Sequence, residues 1–210
     1  MTEIDQVVDL RSLPPTRRSQ ALALVLFDHA GAAHQLPMRG RRLLQQAAAY
    51  YSAAQQADGE RPDRLGRDLA LAAPIGRPRA ADQAIVASAV AFQREKLHPN
   101  REPSFLRLDE KNQRTALRLA AILRIASAVQ DQSLDLQLVS GEEDAFTLIV
   151  EGAHAAETIA AVEKRAQLWR EAIGPLTVRA AEPGEVAAAR SADWRRADCR
   201  GGAAAITAFF

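Results

Sequence analysis

Apolar residues recur with a helical period along the first 130 or so positions of the chain and alternate with polar ones for a short stretch afterwards. Leu13-Pro14-Pro15-Thr16 reads as an opening turn with Thr16 as the N-cap, since Pro15 cannot extend a helix backwards. Leu22, Val25, Leu26 and His29 then share one helical face up to a stop at Gly31, and Pro37 opens a second helix, Met38 to Ala57, with Leu43, Leu44, Ala47, Ala48 and Tyr51 on its apolar stripe. The polar run from Asp58 to Arg64 is a connector, and Leu65 to Ala73 holds only a short helix before Pro74, Gly76 and Pro78. A helix over 80–96 and a loop over His98 to Ser104 follow. After Asp109 comes the longest apolar helix, in which only Arg118, Arg124 and Ser127 interrupt the run from Ala116 to Val129. Such a helix is expected to be enclosed on most sides.

Leu134 to Val139 alternates as a strand, Gly141 to Asp144 turns, and Ala145 to Glu151 returns as a second strand. Residues 154–173 form an amphipathic helix with His154 near its start and Gly174-Pro175 as its stop, before a strand at Leu176 to Ala180. The pattern predicts a mostly α fold: a helical domain over 1–132, a small β-β-α-β (α+β) subdomain over 133–182, and a tail over 183–210. The tail, rich in small residues, is expected to be mobile. Trp194, Phe209 and Phe210 give it a reason to dock on its own chain or on a neighbour.

Scarce aromatics and abundant alanine suit close-packed helices. The net charge of +1 gives no global field, so nucleic acid is not an expected partner and any anion site must be a local cluster. Of the 27 basic residues only Lys96, Lys111 and Lys164 are lysine; arginine offers a planar fork suited to phosphate and carboxylate, although arginine with alanine also follows from GC-rich coding. The single cysteine, Cys199, excludes an internal disulfide framework or a thiolate cluster. No secretory signal occupies Met1 to Leu10 and no apolar run is long enough to span a bilayer, so the chain is expected to be cytoplasmic.

Four stretches, Arg18 to Asp28, Leu43 to Ser52, Ala81 to Arg94 and Leu119 to Ala128, resemble successive helices of an HD-type phosphohydrolase domain. Together with the strand-helix-strand region to about Glu182, the chain is similar to the C-terminal half of the exopolyphosphatase and guanosine pentaphosphate phosphohydrolase family, over most of its length. The resemblance implies an HD-like helical domain followed by the small α+β unit. Family members usually carry an actin-like N-terminal half that performs the hydrolysis, and the chain lacks the Gly-rich strand-turn signals of such a half. The resemblance therefore implies an accessory half alone.

An HD phosphohydrolase holds one or two divalent ions with a His, a His-Asp pair and a further Asp; the ions generate hydroxide and clamp phosphoryl oxygens. At the positions that the resemblance aligns with these ligands the chain reads Arg18, Tyr51, Ser52 and Ser127, and Gln93 stands at a further His position. None is a good metal ligand, and Arg18 puts a cation where the ion would sit. His29 and His34 are five apart and diverge even on a continuous helix; they, His98 and His154 are expected to be surface or capping residues. Cys199 has no neighbouring His, and no Gly-x-Ser-x-Gly elbow or phosphate loop is present.

Lys111, Arg114 and Arg118 are spaced i, i+3, i+7 with Arg107 just before them, a basic stripe that is either a solvated helix face or, as the resemblance implies, a retained anion groove. Arg124 lies on the opposite side of that helix among apolar neighbours, and if buried it needs a carboxylate or several carbonyls. The expectation is a pseudoenzyme without metal, cofactor or catalytic residues, working as an accessory module. Its expected partners are polyphosphate or another anion, an actin-like phosphatase chain, or a second copy of itself. The rivals are an active metal-dependent phosphohydrolase with its ligands elsewhere, and a purely structural dimerisation domain built on the apolar tail.

Overall fold

The computed structural model describes residues 15–57, 60–94, 96–129, 135–140, 145–182, 185 and 207–209. The fold is mostly α, with a small mixed sheet after the helices. The helix α1 runs over Pro15–His29 and opens on Pro15 itself, so Thr16 lies inside the first turn and is not its cap. Proline suits that place because its fixed φ is helical and its missing N–H would have had no partner there. A short α2, Gly31–His34, follows and ends on Gln35 in the left-handed conformation, φ 52 and ψ 29.

Met38–Gln56 forms α3, and α4 spans Pro62–Ala72, beginning three residues before the expected Leu65. Pro62 at the first position and Asp63 in the first turn account for the earlier start. Gly66 allows α4 to approach its neighbours closely: a Cβ there would fall 2.8 Å from Val90 Cγ1 and 3.1 Å from the Tyr50 carbonyl oxygen. Ala80–Ala91 forms α5, which stops short of the expected residue 96. The chain turns at Phe92 and Gln93, where the Gln93 N–H donates to Val90 O, and the carbonyls released at the helix end find a partner in Arg124.

The expected loop over His98 to Ser104 contains a 3₁₀ turn, Pro99–Arg101, and leads into a one-turn helix α6, Pro103–Leu106. Each opens on proline, and the Glu102 side chain caps α6 by accepting from Ser104 N. Glu110–Ala128 is α7, capped by Asp109 Oδ1 accepting from Asn112 N at 2.8 Å. Every residue from Leu119 to Ala128 is buried, because α1, α3, α5 and α8 (Ala155–Ala172) all pack on this helix.

β1 (Asp135–Ser140) and β2 (Phe146–Glu151) pair antiparallel with Leu138 opposite Leu148, and β3 (Leu176–Ala180) lies parallel to β2 after the α8 crossover. The expected β-β-α-β unit is present, and Thr207–Phe209 adds a fourth strand, β4, antiparallel on β1, giving the order β3-β2-β1-β4. That segment of the tail is docked on its own chain. Trp194, Cys199, Phe210 and the turn over Gly141 to Asp144 lie outside the described residues. Trp169 of α8 is fully buried and meets Phe146 edge-on, and the buried apolar cluster runs from the helices into both central strands. Among the described residues no helix is long and apolar enough to cross a membrane.

Candidate functional site

Arg18 on α1, Tyr51 and Ser52 on α3, Gln93 at the end of α5 and Ser127 on α7 are all buried, between 3% and 6% exposed. Five side chains with polar atoms in the middle of an alanine-rich helical core need partners, since an unsatisfied buried donor or acceptor costs about 1–3 kcal/mol. The helices α1, α3 and α5 all pack on α7, and there Gln93 and Ser127 come together, with the Tyr51 phenol near enough to Arg124 to act on its charge.

Ser127 is the hub. Its hydroxyl accepts from Arg165 Nη1 at 3.0 Å, lies 3.1 Å from Arg124 O one turn back, and lies 3.5 Å from Gln93 Oε1. The Gln93 amide donates to Ala89 O at 2.9 Å and to Ala120 O at 3.4 Å, tying the end of α5 to the middle of α7. Arg124, 4% exposed, extends Nη1 to Phe92 O at 2.7 Å and Arg94 O at 2.5 Å. Of the two ways of settling a buried arginine, carbonyls are what this helix end supplies.

The result is a buried polar cluster with cationic character. Burial of the Arg124 guanidinium, reinforced by the like charge of Arg165 and partly offset by the Tyr51 phenol, brings its pKa well below the ordinary arginine value, to about 10. Arg165, on α8, is half-buried and bonded to the Ser127 hydroxyl. The sequence marks Arg124 as a cation inside an apolar run that needs a carboxylate or several carbonyls once buried, and it receives carbonyls; nothing local marks Arg165.

The donor set at these positions is guanidinium, phenol, hydroxyl and carboxamide. It lacks the carboxylate and imidazole ligands that hard or borderline divalent ions take. Among the described residues no three His, Cys, Asp or Glu side chains cluster as a metal site. The histidines are dispersed: His98 and His154 stand exposed at helix starts, His154 beside Glu157 at 3.3 Å. His34 departs from the expected surface role, being fully buried, because its ring bridges the Phe27 carbonyl and the Leu36 amide.

The basic stripe divides. Arg107 ends α6 and Lys111 lies on the first turns of α7, both exposed; Arg114 is exposed and paired with Glu110 one turn back. Arg118 is half-buried and spends its guanidinium on carbonyls, Nη1 on His34 O at 2.8 Å and Nε on Ala172 O at 3.2 Å. It joins α7 to the α2 turn and to the end of α8. No protein-family model and no curated protein matches this chain.

Proposed function

We propose that the chain is a non-catalytic binding module, an accessory domain of the kind that accompanies exopolyphosphatases, and that its ligand is anionic. The observation that carries this reading is the composition of the buried cluster. At the positions where the resemblance assigns metal ligands this chain has Arg18, Tyr51, Ser52, Gln93 and Ser127, none of them a carboxylate or an imidazole, and Gln93 and Ser127 lie beside the cations Arg124 and Arg165, a setting that disfavours a divalent cation and suits negative charge. Exposed arginines elsewhere on the helical face add local positive potential to a chain of almost balanced charge.

An actin-like phosphatase chain is the proposed protein partner, by the same resemblance. Self-association through the tail draws no support from β4, since Thr207–Phe209 is seated on β1 of its own chain.

The test combines ligand and metal. Long-chain polyphosphate and guanosine tetraphosphate are added separately while thermal unfolding is followed; a ligand at about 100 times its dissociation constant, binding only the folded state, adds about 2.7 kcal/mol. The expected result is a raised midpoint with a polyanion, no stoichiometric transition metal in the purified protein, and no phosphate release with Mg²⁺ or Mn²⁺. Retained metal together with phosphate release would overturn the non-catalytic reading; an unmoved midpoint with both ligands would overturn the anionic one.

A further inference from the structure

A second polar feature lies next to the buried cluster. Where the end of α5 meets α4 and the 3₁₀ turn, Arg64, Arg67, Arg94, His98 and Arg101 surround a cavity of about 310 Å³, with Phe92 on its wall. Two carboxylates, Asp63 and Glu102, also face it. Both are already engaged: Asp63 accepts from Arg61 at 3.2 and 3.0 Å, and Glu102 accepts from Ser104 N and Oγ at 3.2 and 2.7 Å and from Arg67 at 3.3 Å. Arg67 also holds Asp68. Arg64, Arg94 and Arg101 are exposed, and among the described residues no carboxylate pairs with them. The cavity thus carries three guanidiniums beyond those its own acids neutralise.

The backbone that presents these arginines is fixed from behind. Arg124 Nη1 bonds the carbonyls of Phe92 and Arg94, so the turn bearing Arg94 is anchored on α7. Glu102, next to Arg101, is held by Ser104, whose hydroxyl meets Ser88 Oγ on α5 at 2.9 Å, so the turn bearing Arg101 is anchored on α5. Cations held on pinned backbone around a concavity lose less freedom on binding than cations on a solvated helix face.

We propose that this cleft binds a small phosphorylated molecule, with Arg64, Arg94 and Arg101 contacting its phosphate oxygens and Arg67, oriented by Glu102, at its rim. The assignment deepens the anionic reading given above and rests on it. A guanidinium fork matches carboxylate and phosphate alike, but three unneutralised guanidiniums around one cavity call for more charge and more acceptor oxygens than a lone carboxylate carries, which favours phosphate. The volume is near the lower bound of the ~300–1,000 Å³ usual for small-molecule sites, which fits one compact ligand and excludes a folded length of polymer.

Calorimetric titration of the full chain with inorganic pyrophosphate and with ribose 5-phosphate, at low ionic strength, tests the site. Saturable binding of at least one probe is expected. It should weaken at least tenfold in the Arg94→Gln, Arg101→Gln double variant, less in Arg101→Lys, and not at all in Lys111→Gln, Arg114→Gln. Because the substituted side chains are exposed, the melting temperature of each variant should stay at the wild-type value. Binding that survives in the cleft variant and disappears in the Lys111, Arg114 variant would overturn the cleft while leaving the anionic reading intact. Non-saturating or absent binding of both probes overturns the cleft as well; only if long-chain polyphosphate and guanosine tetraphosphate also leave the melting midpoint unmoved does the anionic reading fall with it.

Discussion

The turn between α1 and α3 depends on one imidazole, and removing it makes a demanding test of the packing argument. The His34 ring is fully buried, its Nε2 2.7 Å from Phe27 O and its Nδ1 2.9 Å from Leu36 N. The neutral tautomer with its proton on Nε2 satisfies both, donating to the carbonyl and accepting from the amide. Between the bonded residues Gln35 sits at φ 52, a left-handed conformation that costs a residue with a side chain roughly 1–2 kcal/mol. His34→Leu keeps an apolar side chain in the site but leaves Phe27 O and the half-buried Leu36 N–H without a partner. At ~2 kcal/mol for the buried carbonyl and ~1 for the amide, plus ~0.5 for the lost ring contact with Phe27, the variant should lose about 3–4 kcal/mol.

Acid should act on the same residue. Burial lowers the His34 pKa from 6.5, against the pull of the Phe27 carbonyl, with Arg118 lowering it further and Asp28 opposing. Below pH 6.5 the unfolded chain therefore binds a proton that the folded chain refuses, so this contribution is complete above 6.5 and declines as pH falls towards the folded value. Urea unfolding of the wild type and of His34→Leu at pH 7.5 and pH 5.5 measures both effects. The wild type should lose more stability on acidification than the variant. A variant within about 0.5 kcal/mol of wild type at pH 7.5, the usual range of a neutral surface change, would refute the assignment, as would equal acid losses in the two proteins.

Gly66→Ala should destabilise by about 1–2 kcal/mol in thermal unfolding, because overpacking against Val90 and the Tyr50 carbonyl outweighs the ~1 kcal/mol gained in helix propensity; an unchanged midpoint would mean that α4 moves away at no cost. Tyr50→Phe removes the hydroxyl that donates to Ala73 O at 2.8 Å and accepts from Ile75 N at 2.7 Å, so a loss of about 1–2 kcal/mol and faster hydrogen exchange at Ile75 are expected. Arg118→Ala should cost about 2 kcal/mol in denaturant unfolding by freeing the His34 and Ala172 carbonyls, whereas Arg114→Ala, an exposed one-turn pair with Glu110, should stay within about 0.5 kcal/mol. Equal effects of the two would contradict the division of the basic stripe.

Helices and strands could be read from the chain because their signals are local. The run from Ala116 to Val129 is enclosed as its composition requires, Asp109 caps it, and the alternation at Leu136, Leu138, Leu148 and Val150 marks the inner faces of β1 and β2. Local reading failed where a helix end is decided by a distant partner. Nothing in Ala81 to Lys96 marks residue 91 as a terminus; the end is set by Arg124, some 30 positions on, which takes the carbonyls that would have continued the helix. Likewise the one-turn α6 is too short to show a period, and only its proline and its Glu102 cap betray it in retrospect.

The site divides along the same line. That the chain offers Arg, Tyr, Ser, Gln and Ser where the resemblance places metal ligands is a matter of residue identity, fixed before any folding. That Ser127 and Gln93 approach one another, that Arg165 reaches them from α8, and that Arg118 leaves its stripe to bind carbonyls required the packing of helices far apart in sequence. The same holds for the cleft, where Arg64, Arg94 and Arg101 come from separate elements and converge only when α4, the end of α5 and the 3₁₀ turn meet. Side-chain chemistry and short-range periodicity belong to the sequence by itself; which charges end up neutralised by a neighbour, buried on a carbonyl or left facing a cavity depends on long-range contacts, and so was decided by the tertiary structure alone.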